Sequence, residues 1–148
     1  MVDVVNRATR SRMMSGIRGR NTKPEILIRS KLHRLGFRFR LHARELPGKP
    51  DLVFPRYHAV VFVHGCFWHG HNCPLFKWPG TRPDFWKEKI RRNRANDLKV
   101  IKALEANNWR IGIVWECAIR GASKDIDGVA QSIADWIRGK DGFIEERG

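Results

Sequence analysis

The apolar residues of this chain change period several times, and each change marks an element. Ile28, Leu32 and Leu35 recur at helical spacing between Thr22-Lys23-Pro24-Glu25 and Gly36. Thr at the cap, Glu three residues on and Pro in the first turn form a capping box, and Gly is a common helix stop. A helix starting at Thr22 and stopping at Gly36 is therefore expected. Phe37-Arg38-Phe39-Arg40-Leu41 then alternates as a half-buried strand does. Pro47-Gly48-Lys49-Pro50 reads as a turn, and Asp51-Leu52-Val53-Phe54 as a second strand broken by Pro55-Arg56. Ala59 to Val63 is apolar throughout, which predicts a central third strand covered on both faces.

Gly65 to Pro83 is a loop rich in His, Cys, Gly and Pro. A long helix over Asp84 to Asn107 should follow, with Ile90, Leu98, Ile101 and Leu104 on its buried side. Trp109 to Trp115 predicts a fourth strand. A last helix, Ile126 to Arg138, would bury Val129, Ile133 and Trp136 or Ile137. The order helix, three strands, helix, strand, helix implies an α/β fold. Its sheet would carry helices on both faces and at least one crossover. With 148 residues the chain suits one domain, over 22–148, preceded by a polar arm over 1–21. The arm carries Arg7, Arg10, Arg12, Arg18 and Arg20 around Met13 and Met14. It lacks an apolar period and is expected to order on a partner.

Charge narrows the partner. Lys and Arg number 29 against 15 Asp and Glu, a net charge of +14. Such an excess favours a polyanion, because each neutralised phosphate releases condensed counterions. Six Trp and eight Phe add side chains able to stack on bases, although most of them belong to a core. Asp3 and the polar residues before Met13 leave no apolar export signal, so a cytoplasmic protein is expected. The longest apolar run, Ala59 to Val63, is far too short to span a membrane.

The three cysteines, an odd number, point to free thiols or a metal rather than to a disulfide framework. His64-Gly-Cys66-Phe-Trp-His69-Gly-His71-Asn-Cys73 offers thiolate and imidazole, the ligands a tetrahedral zinc prefers. Cys66, His71 and Cys73 can close three corners from one loop, and Cys117, past the fourth strand, can supply the last. His69 or His64 could replace His71; a Cys-x4-His-x-Cys loop using His71 leaves His69 free. A long loop without secondary structure also needs a tether.

Phosphodiester cleavage calls for a hard cation and a base. Asp51, where a turn opens a strand, is placed to reach a cleft, though an Asp there ordinarily caps the turn. His64 and His69 lie just past the third strand, and a neutral imidazole takes a proton from water at cellular pH. Glu25 is explained by the capping box alone, and nothing in the local pattern selects Asp97 among Arg91, Arg92, Arg94 and Lys99.

Arg7-Ala-Thr-Arg-Ser, Leu46-Pro-Gly-Lys-Pro-Asp51, Phe62-Val-His-Gly-Cys-Phe-Trp-His69, Phe85-Trp-Lys-Glu-Lys-Ile90 and Val114-Trp-Glu-Cys117 together closely resemble the very short patch repair endonucleases. The likeness runs from about residue 7 to 138. It implies a restriction-endonuclease-like PD-(D/E)xK core, with Phe62-Val63-His64 where the ExK usually stands. It further implies that Asp51 and the backbone carbonyl of Val63 bind catalytic Mg2+ and that His69 is the general base. Glu25, His64 and Asp97 would complete the active site, and Cys66, His71, Cys73 and Cys117 would hold structural Zn2+. Phe67, Trp68 and Trp86 would wedge into the base stack while the arm, with Met14, approaches from the other groove. The substrate would be duplex DNA with a T:G mismatch, nicked 5′ to the T, in repair of deaminated 5-methylcytosine. The protein would act as a monomer, with other mismatch-repair proteins as a candidate class of partner. Val63 stands where Thr is expected and Gly70 where a further His can stand. Two alternatives stand beside it: a zinc-stabilised DNA-binding module without catalysis, which explains the charge, arm, aromatics and zinc loop but leaves His64, His69 and Asp51 idle, and a related nuclease for another lesion or structure.

Overall fold

The computed structural model describes residues 22–120 and 124–148. The arm residues Arg7, Arg10, Arg12 and Met14 lie outside them. Helix α1, Lys23–Arg34, is capped by Thr22, whose Oγ1 accepts the Glu25 N–H at 3.4 Å. Ile28 and Leu32 are buried, while Leu35 falls past the helix and is 37% exposed. Strands β1 (Arg40–Leu41), β2 (Leu52–Phe54) and β3 (Ala59–His64) form an antiparallel meander. A 3-10 turn at Pro55–Tyr57 separates β2 from β3. Helix α2, Pro83–Ala106, crosses over to β4, Arg110–Trp115, which lies parallel to β3. The short helix α3 (Glu116–Ile119) and then α4 (Ile126–Arg138) lead to β5, Phe143–Glu146, parallel to β4. The sheet order is β1-β2-β3-β4-β5, so β3 is central as expected.

The alternation along the strands sorts two apolar layers. Leu52, Phe54, Val61 and Val114 pack with α1 and α4 through Ile28, Leu32, Ile133 and Ile137. Val53, Val60, Phe62, Ile111, Ile113 and Trp115 pack on the other face with Leu104 of α2. Cover on both faces is why β3 and β4 are apolar at every position. Gly112 is needed in β4 because a Cβ there would come within 3.0 Å of the Trp136 ring. No helix among the described residues is long and apolar enough to cross a membrane.

Three expectations change. The Phe37–Leu41 alternation pairs only at Arg40 and Leu41, because Phe37 and Phe39 instead set their rings against Phe54 at 5.8 and 5.5 Å. On α2 the buried positions are Ile90 and Leu104, with Ile101 half-buried, whereas Leu98 is 62% exposed. The stripe is instead Ile90, Asp97 and Leu104, seven residues apart and so nearly on one line of the helix. Finally, α3 and β5 lacked a sequence signal: α3 is one turn long and β5 is a half-exposed Phe-Ile-Glu-Glu edge. The last helix has the expected bounds and buries both Trp136 and Ile137.

Candidate functional site

Parallel strands β3 and β4 end side by side at His64 and Trp115. Sites in such sheets form beyond the carboxyl ends of the strands. Three groups of metal-competent side chains gather at this region, each with its ligand atoms within 4.8 Å of one another: Glu25, His42 and Asp51; His64, His69 and Asp97; and Cys66, His71, Cys73 and Cys117.

The first group lies between α1 and β2. Asp51 Oδ2 accepts the Val63 N–H at 2.7 Å, which ties the carboxylate to β3. Val63 thus meets Asp51 through its amide. Glu25, 1% exposed, turns its Oε2 to Arg29 Nη1 at 2.7 Å and His42 Nε2 at 2.8 Å. A capping role therefore does not account for its carboxylate. Burial first, and then the neighbouring Glu25, raise the Asp51 carboxyl above its ordinary range, against the pull of the Val63 amide. Two buried carboxyls facing each other suit a divalent cation, which neutralises both and takes oxygen ligands.

The second group is an oriented imidazole. His69 Nδ1 meets Asp97 Oδ2 at 2.6 Å. The His64 ring stacks on His69 with centroids 3.8 Å apart and planes 9° apart. Trp115 sets its edge against both rings, at 5.1 and 5.9 Å. Burial first, then the proximity of the His69 and His71 rings, hold His64 well below the ordinary imidazole range, so its ring is neutral. Its buried Nδ1 has no hydrogen-bond partner among the described residues. Asn93 on α2 donates to the Trp68 carbonyl at 2.7 Å and pins the loop beside His69.

The third group closes the long loop. His71 Nδ1 lies 3.5 Å from Cys117 Sγ. Zinc–sulfur and zinc–nitrogen bond lengths put neighbouring corners of a tetrahedral site about 3.6 Å apart, so this spacing fits. All three cysteines are free thiols, and burial first, then the neighbouring Cys73 and Cys117 thiols, push the Cys66 thiol up. His71 stacks on Trp115 at 4.0 Å and is held below the ordinary imidazole range by burial and then by Arg147, which leaves a neutral ring fit to ligate. The four expected zinc residues thus come together in a cluster able to hold a metal.

The aromatic residues also converge. Phe67 lies edge-on to Trp68 at 5.2 Å and to Trp86 at 5.3 Å. The cluster extends through Phe76 to Trp78, and through Trp86 to Phe85; Trp78 is 51% and Phe85 45% exposed. Solvent-facing rings such as Trp78 and Phe85 are the kind of surface that stacks on bases.

Sequence reading passed over His42, Trp115, Phe76 and Trp78. His42 carries no local signal. Only the β1–β2 register, Leu41 opposite Leu52, carries the next residue to Asp51, whose carbonyl accepts the His42 N–H at 3.1 Å. Asp97 stands out only once the structure shows which line of α2 is buried, since it lies on that line between Ile90 and Leu104.

A family model described as "DNA mismatch endonuclease Vsr" matches residues 2–75. The DNA mismatch endonuclease Vsr of Escherichia coli K12 is 45% identical over 141 residues, 95% of this chain and 90% of that one. The type II nicking enzyme V.XorIIP of Xanthomonas oryzae pv. oryzae is 48% identical over 119 residues, 80% of this chain and 88% of that one. The type II nicking enzyme V.NmeAIP of Neisseria meningitidis serogroup A is 42% identical over 120 residues, 81% and 86% of the two chains. The five-stranded mixed sheet and its flanking helices are the restriction-endonuclease-like arrangement expected for this family. The chain is an α/β DNA endonuclease and belongs to the Vsr family of DNA mismatch endonucleases.

Proposed function

We propose that this endonuclease nicks duplex DNA 5′ to the mispaired T of a T:G pair, the lesion left by deamination of 5-methylcytosine, with His69 as general base and Asp51 as the anchor of a catalytic Mg2+. The observation that carries the reading is the 2.6 Å bond from His69 Nδ1 to Asp97 Oδ2, on a ring stacked against His64, whose chain neighbour Val63 bonds Asp51 at the end of β3. A base oriented by a carboxylate, next to a site for a hard cation, is the equipment of phosphodiester hydrolysis.

Asp97 holds the proton on Nδ1 and so leaves the lone pair on Nε2, where it accepts a proton from the attacking water. It also stabilises the imidazolium that results. His64 orients the His69 ring by stacking without adding a charge. Asp51, with the Val63 carbonyl and with Glu25 nearby, would hold Mg2+, which when bound neutralises charge on the phosphate. Cys66, His71, Cys73 and Cys117 would hold structural Zn2+ and keep the loop bearing His69 in place.

Phe67, Trp68 and Trp86 form the wedge. A T:G wobble stacks less well than a matched pair, so opening the stack costs less there. Residues 22–148 form the nuclease domain, and the arm 1–21, through Arg7, Arg10, Arg12 and Met14, grips the opposite groove as a DNA-contacting arm. The chain works as a monomer in the bacterial cytoplasm, with other mismatch-repair proteins as a candidate class of partner. The test is strand scission of a T:G duplex against its T:A control in Mg2+. Nicking of the T strand of the T:G duplex alone is expected; equal scission of both duplexes would refute the mismatch claim.

A further inference from the structure

His42 bonds to both buried acidic residues, to the main chain of Asp51 and to the carboxylate of Glu25. Its amide donates to the Asp51 carbonyl at 3.1 Å, and its ring Nε2 meets Glu25 Oε2 at 2.8 Å. Arg29 Nη1 reaches the same oxygen at 2.7 Å from the other side, one helical turn along α1. Glu25 Oε2 is therefore clamped between a guanidinium and an imidazole, which fixes the plane of the carboxyl. His42 itself adopts a left-handed backbone, φ 49°, immediately after β1. The ring is mostly covered, with 17% of its side chain exposed.

We propose that His42 is a positioning residue of the cation site: its Nε2–H bond holds Glu25 in the orientation that lets Glu25 and Asp51 face one divalent ion. The inference rests on the reading that Asp51 anchors that ion. Partners of a ligating group tune metal affinity because they set the ligand's direction and basicity. A Gln in place of His42 retains an N–H donor; Ala or Leu does not.

The experiment titrates Mn2+ into the full chain, already loaded with zinc, and follows free Mn2+ by electron paramagnetic resonance. It compares the wild type with His42→Gln, His42→Ala, His42→Leu and Asp51→Asn. His42→Ala is expected to weaken Mn2+ binding about 10- to 100-fold. His42→Leu keeps an apolar bulk against α1 and serves the same purpose should the Ala variant not fold. His42→Gln is expected to restore affinity close to that of the wild type, which a merely structural role would not do. Wild-type Mn2+ affinity in a non-donor variant, or a Gln variant as weak as the Ala one, overturns the role of His42. Undiminished Mn2+ binding by Asp51→Asn instead overturns the reading beneath it.

Discussion

The bond between His69 Nδ1 and Asp97 Oδ2 decides which imidazole nitrogen faces solvent. Asp97→Asn removes the charge that stabilises the imidazolium and lets the amide favour the other tautomer. Single-turnover nicking of this variant should fall by about 10²- to 10⁴-fold, the usual worth of a general base. Its duplex binding, measured by gel shift, should not change. Asp51 makes a prediction about pH. Its carboxyl titrates above the ordinary 3.8, pushed up to about 8 by burial first, so ionising it works against folding. Without a divalent ion, this residue's favourable contribution is present at acidic pH and is lost as the pH rises from about 4 toward 8. Asp51→Asn should therefore raise the metal-free melting temperature at pH 8, by an amount that vanishes near pH 4. Mg2+ should raise the melting temperature of the wild type at pH 8 and not that of the variant. A thermal scan across pH checks both.

At the scale of elements, what could be read depended on whether a pattern was local. Thr22, Pro24 and the apolar spacing marked α1, and α4 carried a strong enough stripe for both its ends. Leu98 misled because a long amphipathic helix offers several apolar lines, and the sheet chose the one through Ile90 and Leu104. That choice is testable. Leu104→Ala should cost about 2–5 kcal/mol, whereas Leu98→Lys should stay within about 0.5 kcal/mol, both by denaturant unfolding. The loop between β3 and α2 was legible as a candidate metal loop because three of its thiol and imidazole groups fall within eight residues, Cys66 to Cys73, and need only Cys117 from elsewhere. Chelating the metal should lower the melting temperature and weaken duplex binding together, since Phe67, Trp68 and His69 ride on the same loop. Cys117→Ser should act in the same direction.

At the scale of the molecule, the net charge of +14 announced a polyanion, but not which one. The site itself is assembled from α1, β1, β2, the end of β3, the loop and α2, and such an assembly is set by strand register rather than by composition. That is why Asp51, His64 and His69 were visible as chemistry-bearing residues, while His42 and Trp115 emerged only from pairing and packing. The claim at the centre of this account is that Asp51 and His69 act on the same phosphate in the same step. Residues that act as a unit give non-additive losses. The most direct test is the single-turnover rate on a T:G duplex for Asp51→Asn, His69→Ala and the double variant, at saturating protein and Mg2+. Each single variant should lose nearly all nicking, and the double should be no slower than the worse single. A single variant that nicks at the wild-type rate, or losses that multiply in the double, would contradict it.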